Sequence, residues 1–244
     1  MSSATANTAL QTVLDRITAS ARIVNRDAAD IRLIAVSKTR TADEVRAMTG
    51  LGVSSFGENY LQEALPKIEA LRDLSICWHF IGHIQGNKTR EIATAFEWVH
   101  TVDRERIAER LCQQTPADKT LNVLVQVNVD ADPAKGGIPI ADRDGLDGVM
   151  STIRNCPRLR LRGLMTILAV DTPPLDGYSS LKRLFDECRD AGGPHWDTLS
   201  MGMSADFEQA IESGATQVRV GSALFGSREG SRVGPRVGPK NALP

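Results

Sequence analysis

The stretch IRLIAVSKTRTADEV, residues 31–45, contains one complete strand–loop–helix junction. Its first part, Ile31–Ser37, is short, apolar and bounded, which is how a buried strand reads. Thr41-Ala42-Asp43-Glu44 forms a capping box, with Thr41 as N-cap, Glu44 at N3, and Val45 and Met48 opening the inward stripe of the helix. Lys38 therefore stands between the end of a strand and the start of a helix.

The same alternation continues along the chain. Val53–Phe56 precedes a helix over Tyr60–Leu71, and Ile76–Ile81 precedes one from about Asn87 to Phe96. Trp98–Val102 leads to a charged helix over Asp103–Gln114. Leu121–Val129 leads through the loop ADPAKGGIP to a helix ending near Asn155. Leu159–Ile167 precedes Tyr178–Asp190, and Thr198–Ser200 precedes Ala205–Ser213, which Gly214 closes as C′. Val218–Val220 is the last strand. Strands alternating with helices predict parallel βα units, and eight of them close a barrel. The expected fold class is α/β, a single (β/α)₈ TIM barrel. A doubly wound open sheet ranks second, because no GxGxxG follows the first strand.

Leu10, Val13, Leu14, Ile17, Ala21 and Val24 share one helical stripe, which adds an N-terminal helix before the barrel. The expected division is residues 1–30 as that helix packing on the barrel, 31–228 as the barrel, and 229–244 as a flexible tail. The tail repeats RVGP and has little apolar to bury.

Composition narrows the function. The chain has 244 residues, of which 41% are apolar, and a formal net charge of −1. That is enough for one large core, and it gives no reason to expect nucleic acid or an anionic membrane as partner. MSSATANTAL lacks a signal peptide's basic region, and no apolar run approaches the roughly 20 residues that span a bilayer. Cys77, Cys112, Cys156 and Cys188 form no CxxC pair, so all four read as reduced thiols in a cytoplasmic protein. No surplus apolar face is evident, so a soluble monomer is expected.

In a barrel, function collects at the C-terminal ends of the strands. That rule selects Lys38, Asn59, His83, Asn128, Met165, the run Ser200–Ser204, Arg219, Gly221 and Ser222. Of the lysines, Lys67, Lys119 and Lys182 fall on exposed helices or loops, and Lys88 and Lys135 in polar loops. Lys38 alone continues a buried strand. A partly desolvated amine there suits a Schiff base, although a strand-end lysine can also simply snorkel to solvent. Gly202 permits close backbone approach in SMGMS, Ser204 suits an N-cap, and the strand after it ends in Arg219-Val220-Gly221-Ser222. Adjacent loops of this kind after the last two strands make a phosphate site. Asp206 would repel an anion unless it points away. Arg219 either pairs with a carboxylate in the mouth or donates to a ligand. His79 and His83 have no third ligand at suitable spacing, so a metal is not expected.

AVSKT at 35–39, FGENY at 56–60, WHFIGHIQGNK at 78–88, RGLM at 162–165, LSMGMS at 199–204 and VRVGSALFG at 218–226 together resemble the YggS/PROSC family of pyridoxal-phosphate homeostasis proteins. The likeness covers roughly residues 31–228, and implies a barrel of the alanine racemase N-terminal domain type without the racemase's second domain. It also implies pyridoxal 5′-phosphate held as a Schiff base on Lys38. Ser204, Gly221, Ser222 and the backbone of Gly202 and Met203 would hold the phosphate, Arg219 would face the pyridine nitrogen, and Asn59 would lie near the ring. Gly86 stands where the family more often has serine. A cationic arginine at the ring nitrogen makes a weak electron sink, and no second domain supplies the opposing base. The implied role is storing, buffering or delivering the cofactor, with apo-enzymes or free amino acids as partners. A racemase-like enzyme and a Schiff-base aldolase are the alternatives.

Overall fold

A computed structural model describes residues 3–132 and 135–226; the expected tail, 229–244, lies outside them. Eight parallel strands close a barrel: β1 (Arg32–Val36), β2 (Ser55–Glu58), β3 (Cys77–Phe80), β4 (Trp98–Val102), β5 (Leu121–Asn128), and, past a two-residue strand β6 (Ile138–Pro139) that pairs with β5, β7 (Leu159–Met165), β8 (Thr198–Ser200) and β9 (Gln217–Val220). Pairing of β9 with β1 and of β4 with β5 completes the ring. The helices are α1 (Ser3–Ile23), α2 (Ala42–Gly50), α3 (Leu61–Ala70), α4 (Thr89–Ala95), α5 (Glu105–Gln114), α6 (Arg143–Arg154), α7 (Pro174–Glu187), α8 (Arg189–Gly192), α9 (Phe207–Glu212) and α10 (Ser222–Phe225).

The junction at residues 31–45 folds as its sequence dictates. Thr41 Oγ1 accepts from Glu44 N at 3.2 Å, while the Glu44 carboxylate accepts from Thr41 N at 2.8 Å. Such a cap contributes about 1 kcal/mol and fixes where α2 begins. The extra helix α1 lies against α9, α10 and α2. Leu10, Val13 and Ile17 are buried in that contact, each contributing about 1.5–3 kcal/mol. Leu14, expected on the same stripe, is 39% exposed.

Three expectations need correction. α7 starts at Pro174 rather than Tyr178, because a proline in the first turn is pre-set for a helix even though it carries no apolar signal. Lys67, read as exposed, is 6% exposed and bonds Glu58. It falls on the inward stripe of α3 with Leu61 and Ala64, directly over the end of β2. Cys112 and Cys156, read as free thiols, form a disulfide with Cα atoms 5.9 Å apart. They are 44 residues apart in sequence, and only the packing of α5 on α6 brings them together. Among the described residues no helix is long and apolar enough to cross a membrane.

Candidate functional site

The C-terminal end of the barrel encloses a cavity of about 410 Å³. Lys38, Asn59, Met203, Ser204, Arg219, Gly221 and Ser222 all line it, together with Val36, Ile81 and Ile167 as apolar wall. Gly202 stands behind the lining. Its φ is +90°, and a Cβ there would meet Ala210 Cβ at 2.6 Å and Phe207 Cα at 2.9 Å. Only glycine lets the β8–α9 loop lie this close to α9.

Lys38 is half-buried. It sits in a turn closed by the bond from Arg40 N to Ser37 O, in which Thr39 adopts φ +65°. That conformation is costly for a β-branched residue, on the order of 1–3 kcal/mol. Strain of this kind persists where the surroundings impose it. Here Thr39 N donates to Glu63 Oε2 at 3.0 Å and the capping box begins two residues on.

Beneath Lys38 lies a buried polar cluster. Ser37 Oγ donates to Glu58 Oε1 at 2.6 Å, and Lys67 Nζ donates to the same oxygen and to Ser37 O at 2.8 Å. Burial pushes the Glu58 carboxyl up, against the pull of Lys67 and Ser37. The cluster ties the end of β1 to that of β2. Beyond it, Asn59 places a buried Oδ1 that has no protein partner. Gly82 makes that arrangement possible, since a Cβ on it would fall 1.9 Å from Asn59 O.

At the opposite wall, Ser204 Oγ accepts from Gly221 N at 3.2 Å and from Ala223 N at 3.4 Å. The sequence marks Ser204 as the N-cap of its own helix, and this is corrected: its hydroxyl is engaged by the next loop. Asp206 occupies the N-cap position of α9, and its Oδ1 accepts from Met203 N at 2.6 Å. The Asp206 carboxylate also lies near the buried Tyr178 hydroxyl, which burial and that charge push well up. Engaged in this way, it is not among the cavity-lining residues, while its charge still acts on Arg219. Ser204, Gly221, Ser222 and Arg40 all line the cavity; the amides of Gly221 and Ala223 are turned onto the Ser204 hydroxyl, and Arg40 Nη2 donates to Gly226 O at 2.8 Å. Arg40 carried no signal in the sequence beyond its place in the loop after β1.

Arg219 is 4% exposed, and no carboxylate lies within ion-pair distance of it among the described residues. It donates from Nη1 to Ser200 Oγ and from Nη2 to Thr166 O, both at 2.8 Å. No ion pair of the kind the sequence offered answers its charge, and Arg219 also lines the cavity. Among the other strand-end residues, Met165 packs in the barrel core with Trp98 and Leu124, and Asn128 bonds Asp132 within its own loop. His83 lines a smaller neighbouring cleft with Tyr60 and Lys88. His79 is buried inside the barrel. Among the described residues no group of His, Cys, Asp or Glu could hold a metal ion.

A parallel barrel with a lysine, a buried arginine and two serines lining its mouth defines a class, and the family model described as alanine racemase, N-terminal domain, matches residues 13–229. A relative from Pseudomonas aeruginosa, called pyridoxal phosphate homeostasis protein, is 48% identical over 89% of this chain and 93% of its own length. The protein of that name from Escherichia coli is 42% identical over 90% of this chain and 95% of its own. PipY of Synechococcus elongatus, solved with PLP bound, superposes with a TM-score of 0.75 at 31% identity, covering 88% of this chain and all of that one. The chain belongs to the family of pyridoxal phosphate homeostasis proteins.

Proposed function

We propose that this chain binds pyridoxal 5′-phosphate at the barrel mouth and stores, buffers or delivers it, with no catalytic turnover of its own. The observation that carries the reading is convergence: Lys38, Arg219 and a prospective anion cradle of Ser204, Gly221 and Ser222 meet on one cavity. The donor set fits the group. The cradle takes the phosphate at Ser204, Gly221 and Ser222, with Met203 and Gly202 shaping its loop. Arg219 faces the pyridine nitrogen, and the unpartnered Asn59 Oδ1 has an acceptor to offer beside the ring. When bound, the cofactor supplies an aldehyde for a Schiff base with Lys38.

The chain's own residues argue against carbanion chemistry. Arg219 is a donor and leaves the ring nitrogen without a proton source of the carboxylic type. Return of a proton to the far face of a substrate needs a placed acid. Tyr60 is 50% exposed and does not line the cavity. Tyr178 is buried and does not line the cavity, and its hydroxyl is pushed well up by burial and by the Asp206 charge. We place the cofactor on the barrel portion, 31–228, of a monomeric cytoplasmic protein. Apo-enzymes or free amino acids would be the recipients.

The test is deuterium uptake at Cα of L-alanine in D₂O with the cofactor-loaded protein. Uptake no faster than with free pyridoxal phosphate is expected. Incorporation on the order of 1 s⁻¹ or faster would replace the carrier with an enzyme.

A further inference from the structure

The barrel interior below Arg219 holds a continuous line of polar groups. Arg219 Nη1 donates to Ser200 Oγ at 2.8 Å, and Ser200 Oγ lies 2.9 Å from His100 Nδ1. His100 Nε2 lies 2.9 Å from His79 Nδ1, and His79 Nε2 lies 3.5 Å from Cys77 Sγ. Ser200, His100 and His79 are each fully buried. His79 also stacks on Trp98, with ring centroids 5.5 Å apart.

The direction of each bond follows from what its neighbour can do. An arginine has donors only, so Ser200 Oγ must accept at that contact. The serine hydroxyl hydrogen is then left for His100 Nδ1, which accepts it. A neutral imidazole with a bare Nδ1 carries its proton on Nε2, so His100 donates to His79 Nδ1. His79 in turn carries its proton on Nε2 and donates to Cys77 Sγ. In the reverse arrangement His100 would donate to Ser200, and the serine hydrogen would have no acceptor of its own in this line. Burial keeps both rings neutral: His79 is pulled down to about 3, and His100 well below its ordinary range. The Cys77 thiol, pushed up to about 11, stays protonated and serves as a weak acceptor.

We propose that Ser200, His100 and His79 are positioning residues, a one-directional hydrogen-bond relay that presents an acceptor to Arg219 and thereby fixes its guanidinium as the donor to the ring nitrogen of a bound pyridoxal phosphate. Every donor in the line points away from Arg219, so every bond dipole turns its negative end toward the cation. This stabilises a buried charge for which no carboxylate stands at ion-pair distance. The relay rests on the functional reading above for its role, but its internal geometry stands without any ligand.

Two measurements separate these. On the ligand-free chain, ¹⁵N spectra of the histidine rings should show both His100 and His79 protonated at Nε2 and bare at Nδ1. A proton on Nδ1 of His100 overturns the relay, whatever the protein binds. The second measurement is pyridoxal phosphate affinity in two variants. In His100→Asn the amide Oδ1 stands near the place of Nδ1 and still accepts from Ser200; in His100→Leu nothing does. A merely structural histidine predicts that leucine is the milder change, because a buried amide is costly. The relay predicts the opposite for binding: about a tenfold loss in His100→Leu and within about threefold of wild type in His100→Asn. Equal affinities, or a better His100→Leu, overturn the positioning role. If the wild-type chain takes up no pyridoxal phosphate, the functional reading and the role assigned to the relay fall together, and the ring spectra alone then judge its direction.

Discussion

Two cations are buried at the barrel mouth among the described residues, Lys67 and Arg219, and their surroundings are opposite. Lys67 meets a carboxylate, Glu58, and shares it with the Ser37 hydroxyl. Arg219 meets a serine oxygen and a main-chain carbonyl, both neutral. The first charge is answered within the protein and serves to clamp β1 to β2 beneath Lys38. The second donates to these dipoles, with the Asp206 carboxylate acting on it from beyond ion-pair distance. A buried ion pair and a buried cation without one differ in this respect: the first is architecture, and the second is the group that the proposed function turns toward a ligand.

The largest effect should come from breaking the paired side. Glu58→Ala leaves the Lys67 ammonium buried without its counter-charge, and should cost about 3–5 kcal/mol in urea denaturation. A loss below about 1 kcal/mol would mean that the pair clamps nothing. Arg219→Met should behave in the reverse way. Its effect on unfolding should stay within about 1–2 kcal/mol, since only neutral acceptors lose a partner. Affinity for pyridoxal phosphate should fall about thirtyfold, as expected for a charge-assisted bond of about 2 kcal/mol. Equal destabilisation by the two substitutions would erase the contrast.

The smallest effect concerns pH. Unfolded histidines take up protons below about pH 6.5, whereas His79 in the fold is pulled down to about 3 and His100 well below its ordinary range, both chiefly by burial. The unfolded chain therefore binds more protons in that window. Stability is fully present above about pH 6.5 and falls as the pH is lowered toward 3, by up to about 1.4 kcal/mol per unit for each histidine. Carboxylates titrate in part of the same range, so the difference between wild type and His100→Leu isolates one ring. Between pH 6.5 and 5.5 the unfolding free energy from urea denaturation should fall by about 1 kcal/mol more in wild type than in the variant; parallel curves would mean that His100 is charged or accessible in the fold.

Much of this was legible in the sequence, for identifiable reasons. Capping chemistry is local, so Thr41 and Glu44 fixed the start of α2 and with it the position of Lys38. Strand ends in a barrel share one rim, so a rule about ends found Asn59, Ser204, Arg219 and Gly221 without knowing any distances. What stayed hidden depends on side-chain direction across the fold. Ser204 has the composition of an N-cap, yet its hydroxyl serves the next loop. Lys67 has the composition of a surface lysine, yet helical phase turns it onto Glu58. His79 and His100 lie 21 residues apart on neighbouring strands, so no spacing pattern relates them. The Cys112–Cys156 disulfide is invisible for the same reason.

In the proposed function Lys38 holds the cofactor at the mouth of this barrel. Protein loaded with pyridoxal phosphate, reduced with borohydride and digested with trypsin should carry the pyridoxyl group on the peptide containing Lys38. The Lys38→Ala variant should keep its fold by circular dichroism and lose the visible absorption band of the bound cofactor. A label found chiefly on Lys88 or Lys135, or a Lys38→Ala protein that keeps the band, would contradict the account.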